Sequence, residues 1–177
     1  MKRNAFIYDD VRVTPDRQIG LHSHPQWELS HVVYGGGTRT IGDRQEQMAK
    51  GEVILIPPDI PHVWRFDPLI TDDDGCIANI TVFFEDSTLI GLSALLTELE
   101  ESIGRIRMQT EAISYSGATL ETIVDILYSM RGETAEARIP GMFRLLRVLS
   151  DTGSCRQVGS NNTLSRTEMR MERIRTF

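Results

Sequence analysis

Hydrophobic and polar positions alternate with period two over most of the first half of the chain, and this pattern predicts a series of short strands. Residues 5–13, AFIYDDVRV, mix apolar and polar side chains as an edge strand does, and Thr14-Pro15-Asp16 reads as a turn. Gln26–Tyr34 is rich in β-branched and aromatic residues and runs into three glycines. Thr38–Ile41 and Gln45–Ala49 flank Gly42-Asp43, a two-residue hairpin signal suited to a type I′ turn. Val53–Ile56 is a continuous apolar run, the mark of a strand buried on both faces. Pro57-Pro58 ends it, Val63–Phe66 resumes as a strand, and Asp67–Gly75 is an acidic loop. Asn79–Phe84 closes the set, with Ile80, Val82 and Phe84 on one face and Thr81 and Phe83 on the other.

Beyond Glu85 the period changes to three and four. Leu89, Leu92, Leu95, Leu96 and Leu99 predict one amphipathic helix of about 15 residues, capped by Asp86 or Ser87, with a loop at Gln109-Thr110 after it. Leu120, Ile123, Val124, Leu127 and Met130 predict a second helix after Ser116-Gly117. Met142, Phe143, Leu145, Leu146 and Leu149 predict a third, with Pro140 either in its first turn or kinking a longer helix from Glu133. From Gly153 to Asn162 the residues are turn formers and read as a linker. A basic segment with helical promise opens at Thr163 or Ser165, where Met171, Ile174 and Phe177 form a fragment of a stripe. The expected organisation is a β unit over 1–86, a helical segment over 87–152, and a linker with the start of a further domain over 153–177.

With 40% hydrophobic and 25% charged residues, the composition is that of a globular domain and excludes a disordered chain. No apolar run approaches the ~18 residues of a membrane span. The first ten residues, MKRNAFIYDD, lack the apolar stretch of a secretory signal, so the expected location is the cytoplasm, with no membrane partner. Cys76 and Cys155 form no CxxC pair and are expected as free thiols. The formal charge of −6 argues against a direct phosphate-binding face on the body of the chain. Five arginines against two glutamates in residues 156–177 give that end +3, leaving −9 for the rest.

Three of the four histidines and one glutamate can converge. His22, His24 and Glu28 share one parity, so on an extended strand they face one side, whereas His31 falls on the other. His62 joins them if the turns at Gly35–Gly37, Gly42-Asp43 and Lys50-Gly51 fold the segment into a sheet, and the prolines around Asp59-Ile60 restrict its loop. Imidazoles with a carboxylate suit one divalent metal ion such as Zn, Ni, Fe or Mn, and the same grouping can bind a polar ligand directly. Trp64, Trp27 and Tyr34 complete the candidate ligand-binding set.

His22-x-His24-x3-Glu28-x6-Gly35, followed by Gly51-x5-Pro57 and His62, resembles the two motifs of the cupin family. Three features depart from the family pattern: Asp59 stands where it has glycine, no Asn follows His62, and the spacer from Gly20 to His22 is short. Within the cupins, the phrasing from His22 to Leu29 and from Ile56 to Trp64 is most similar to the N-terminal sensing domain of AraC-type transcription regulators. The resemblance implies a mainly β fold, a cupin-like double-stranded β-helix barrel followed by a C-terminal α-helical segment. It also implies His22, His24, Glu28 and His62 as metal ligands, a small polar or sugar-like effector, possession of no enzyme activity, and homodimer contacts through the helices. DNA would be bound by a C-terminal domain beyond this chain, which would then be the leading part of a longer protein. A metal-dependent cupin enzyme, a dioxygenase, isomerase or hydrolase, is the alternative.

Overall fold

The computed structural model describes residues 4–161. The strands are β1 (Phe6–Val13), β2 (Gln26–Tyr34), β3 (Gly36–Ile41), β4 (Arg44–Ala49), β5 (Val53–Ile56), β6 (His62–Phe66), β7 (Ile77–Glu85), β8 (Glu111–Tyr115) and β9 (Cys155–Ser160). The helices are α1 (Asp86–Leu95), α2 (Glu100–Arg107), α3 (Gly117–Ser129) and α4 (Ile139–Leu149). A six-stranded antiparallel sheet in the order β1-β7-β2-β5-β8-β9 faces a three-stranded sheet in the order β4-β3-β6. The fold is a mainly β barrel of the cupin type with helices after most of its strands.

Strand periodicity decides what faces what. Trp27, Leu29, Val53, Leu55, Ile80, Val82 and Phe84 leave the barrel and pack with the buried faces of α1 to α4 in the largest apolar cluster. The alternate residues Ile54 and Ile56 point inward and join Ile41, Ile60, Ala112 and Val158. A second interior cluster gathers Val32, Met48, Phe66 and Ile77. The run Val53–Ile56 is therefore buried on both faces, as its unbroken apolar character predicts.

The helical half differs from expectation in one place. The leucine spacing predicts a single helix, yet the chain extends at Leu96, makes a 3-10 turn over Thr97–Leu99 and restarts as α2. Within α1 only Leu89 is buried, and Leu95 is 78% exposed. The break redirects the chain so that Ile103 and Ile106 reach the core, and that burial outweighs local helix propensity.

The β architecture also continues past residue 86. β8 pairs with β5, and β9 pairs with β8, so part of the stretch expected as a linker is a strand. Ala112 and Val158 supply its inward contacts. Gly159 is required there by close approach, since a Cβ would lie 2.2 Å from the Ile41 carbonyl oxygen. The segment expected from Thr163 or Ser165 lies outside the described residues.

The two sheets are joined at both sides of the barrel. His22 and His62 exchange backbone hydrogen bonds of 3.1 and 2.8 Å. At the β3–β4 hairpin, the Gly42 N–H donates to Pro61 O at 2.7 Å, and the Asp43 carboxylate accepts from the Ser160 N–H at 3.0 Å. In that turn Gly42 has φ +54° and Asp43 does not have positive φ, so it is not the type I′ form, which needs two. Arg39, fully buried, donates to both oxygens of Glu52 at 3.0 Å and to Glu46 at 2.8 Å. Glu46 also accepts from Arg156 on β9 at 2.8 and 2.9 Å, so four charges clasp β3, β4, β9 and the residue that precedes β5. Cys76 and Cys155 are free. Among the described residues no helix is long and apolar enough to cross a membrane.

Candidate functional site

β2 places Glu28 on the barrel's inner face, paired with Ile56 and Phe83 on the neighbouring strands, and leaves it 4% exposed. His22 and His24 do not share that strand, because β2 starts at Gln26. They enter from the segment before it, where the bridge to His62 fixes His22 and the His24 carbonyl accepts from the Asp59 N–H at 2.9 Å. The four expected ligand residues nonetheless converge: one donor atom from each of His22, His24, Glu28 and His62 lies within 4.8 Å of every other.

Each imidazole is oriented from behind. Nδ1 of His22 faces Gly20 O at 2.8 Å, Nδ1 of His24 faces Gln26 O at 3.2 Å, and Nδ1 of His62 faces Ile60 O at 2.8 Å. A ring that donates from Nδ1 to a carbonyl presents Nε2 to the centre, the arrangement that holds metal-bound histidines. Nε2 of His24 and of His62 donate to the same carboxylate oxygen of Glu28, at 2.9 and 3.0 Å. Burial pushes the Glu28 carboxyl up, but the hydrogen bonds and charge of His24 and His62 prevail and hold it at about 2. His24 is shifted up, first by its hydrogen bond to Glu28, whereas burial shifts His22 down. Glu28 is thus held by hydrogen bonds from His24 and His62, and a divalent cation bound by Nε2 atoms and the carboxylate would balance its charge. The donor set fits such an ion.

The aromatic candidates divide. Trp64 lies inside, its ring centroid 5.4 Å from that of His62, and it packs against both interior clusters. Trp27 is not in the site. As the neighbour of Glu28 on β2 it faces the helices, 3% exposed and stacked on Phe84 at 6.3 Å. Tyr34 is also excluded, because the register shifts between Val32 and Tyr34 and turns it outward, where Lys50 Nζ lies 4.7 Å over its ring. His31 stands outside the ligand set, as its parity indicates, against Glu52 O and Tyr128 of α3. Three interior residues escaped the candidate list: Phe83, whose ring is 5.3 Å from His24, Asn79 and Arg39. All could be found from parity, since Phe83 and Asn79 alternate with Ile80 and Val82, and Arg39 shares a face with Ile41.

Asp59 explains the departure from the glycine pattern. It is the non-glycine residue with positive φ among the described residues, at +63°, so the loop before His62 keeps the left-handed turn that glycine adopts freely. Gly35 meets the other constraint, with φ +116° and the Phe66 ring 2.7 Å from where a Cβ would stand.

Residues 10–67 match the family model described as Cupin domain. No curated protein matches the chain. Among solved structures, the AraC-like transcriptional activator CuxR is similar over 98% of this chain and 60% of its own, with a TM-score of 0.54 and 13% identity, which concerns the fold. The plu4264 protein from Photorhabdus luminescens shares 26% identity over 54% of this chain and 73% of its own, with a TM-score of 0.38. Oxalate decarboxylase from Bacillus subtilis, a protein with Mn(II) centres, is 19% identical over 46% of this chain and 22% of its own, with a TM-score of 0.35.

Two outcomes follow from the geometry. In metal-free protein, the lowered Glu28 contributes stability above its unfolded pKa near 4.5 that is lost as pH falls towards about 2. The raised His24 contributes stability below 6.5 that is lost as pH rises through its folded value. Glu28→Gln therefore costs most between those limits, on the order of 2–3 kcal/mol, and less at pH 8. Chemical denaturation across the pH range reads this, and a cost independent of pH contradicts it. At Asp59, Gly should leave stability within about 1 kcal/mol, whereas Val, strained at positive φ, should cost about 1–2 kcal/mol. Thermal melts that rank Gly below Val would refute the assignment.

Proposed function

We propose that this chain, whose residues 10–67 form a cupin domain, is the effector-sensing and dimerisation part of an AraC-type transcription regulator. The observation that carries this reading is the likeness to CuxR, an AraC-like activator, which extends over barrel and helices together. A small molecule would enter the barrel and be met by His22, His24, Glu28, His62 and Trp64. One divalent ion, Zn, Ni, Fe or Mn, would be held by the first four, and there it would supply Lewis-acid charge for an oxygen of the ligand. Those residues orient and bind, and no group in the site need act as an acid or base. The assignment is a cytoplasmic protein without enzyme activity.

The hairpin tip offers a route outward. Gly42 contacts Pro61, one residue before His62, and its neighbour Asp43 contacts Ser160 at the end of β9. A ligand that favours one position of this tip would bear on the end of β9 through Ser160, which is how differential affinity becomes a signal. Ile90 and Leu95 on α1, 49% and 78% exposed, offer apolar surface to a second copy. DNA would be held by a domain following Phe177, which the basic character of residues 156–177 suits.

The second reading, a metal-dependent enzyme, draws on the same three histidines and glutamate, since that set leaves coordination positions free for substrate and water. The coding sequence past Phe177 separates the two. The regulator reading expects about a hundred further residues with two helix-turn-helix patterns, and a gene product that shifts promoter DNA. A stop codon directly after Phe177 contradicts it and favours the enzyme.

A further inference from the structure

We propose that the groove between β2, the turn after β4 and α3 is a second binding site, outside the barrel, and that it takes a free α-amino acid with an apolar side chain. The proposal goes beyond the regulator reading, since it needs neither the histidine cluster nor DNA.

The groove has a volume of about 280 Å³. Strand alternation separates it from the histidine cluster, because Val33 leaves the barrel towards the helices while its neighbour Val32 stays inside. The apolar lining is Val33, Leu120 and Val124, half-buried side chains that pack against the largest apolar cluster. Charge comes from two elements: Lys50 from the turn, Glu121 and Asp125 from α3. All three are exposed, and among the described residues none has an ion-pair partner. Lys50 Nζ lies over the Tyr34 ring instead. The groove thus keeps opposite charges apart along its own lining. His31 adds a buried acceptor at 2% exposure. Its Nδ1 donates to Glu52 O at 3.2 Å, so in the neutral ring Nε2 accepts, and the Tyr128 hydroxyl reaches that nitrogen only at 3.5 Å, the outer limit of a hydrogen bond.

The ligand's chemistry follows from this lining. Opposite charges that share one apolar groove without meeting are complemented by a molecule that carries both. Its carboxylate meets Lys50, and its ammonium group meets Glu121, Asp125 and Nε2 of His31. Its apolar side chain lies on Val33, Leu120 and Val124 beside the ring of Tyr128. A plain anion would face two carboxylates. A plain cation would face Lys50, and Arg131, which lies 5.2 Å over the Tyr128 ring. The volume, just below that of sites for drug-sized ligands, suits a molecule the size of one amino acid.

The test is a titration of the full-length protein, labelled at its Val, Leu and Ile methyl groups, followed by NMR. The probes are L-leucine, 4-methylpentanoate, which lacks the ammonium group, and 3-methylbutan-1-amine, which lacks the carboxylate. Leucine up to about 50 mM should shift the methyl signals of Val33, Leu120 and Val124, and it should bind at least about threefold more tightly than either analogue. Lys50→Met should remove leucine's advantage over the amine. Glu121→Gln with Asp125→Asn should remove its advantage over the acid, while melting temperature holds in both variants. Should either variant fail to fold, the other carries the test. No shift, equal binding of the three probes, or shifts confined to barrel methyls such as those of Val32 and Ile54 would overturn the proposal. Leucine in the groove of a protein that never shifts DNA removes the regulator reading and leaves this site standing, and a DNA shift without leucine binding does the reverse.

Discussion

A carboxylate enclosed by isoleucines and aromatic rings is tolerable only while hydrogen-bond donors adjoin it, and Glu28 draws them from His24 and His62. The constraint reaches through the whole barrel. His24 precedes β2, Glu28 lies within it, and His62 opens β6 on the opposite sheet, so the three can meet only when both sheets are closed. Closure is enforced from behind by backbone contacts, the reciprocal pair between His22 and His62 and the bond from Gly42 to Pro61. Site and fold are thus held by overlapping sets of bonds.

The outer face of the same strand serves a different purpose. Trp27, Leu29 and His31 alternate with Glu28 and Ser30, and they carry the helices. One strand therefore bears the candidate chemistry on one side and the largest apolar cluster on the other. The four-charge clasp of Arg39, Glu46, Glu52 and Arg156 ties β9 to β3 and β4 although β9 lies far along the chain from the barrel motifs.

Much of this was legible from residue spacing. The strands from β1 to β7 follow the alternation, and the convergence of His22, His24, Glu28 and His62 follows from the two-part motif together with the turns between its halves. The failures have particular causes. Trp27 adjoins Glu28 on one strand, and that adjacency sends it to the opposite face. Tyr34 obeyed parity until a bulge reversed it, and nothing in Val32-Val33-Tyr34 announces a bulge. β9 reads as a linker because Val158 is its single strongly apolar residue, and its pairing partner β8 lies some forty positions earlier in the chain. The break at Leu96 is a tertiary effect, since the leucine stripe favours continuation and the burial of Ile103 and Ile106 prevents it.

The account turns on a centre that suits a cation, and the most direct measurement is the metal content of protein purified without chelators and without a nickel column. Elemental analysis should find close to one divalent ion per chain, and Glu28→Gln with His62→Ala should abolish it while the fold persists. Content well below one per chain, with no uptake of added zinc, iron, nickel or manganese, would contradict the assignment of these four side chains as a metal centre.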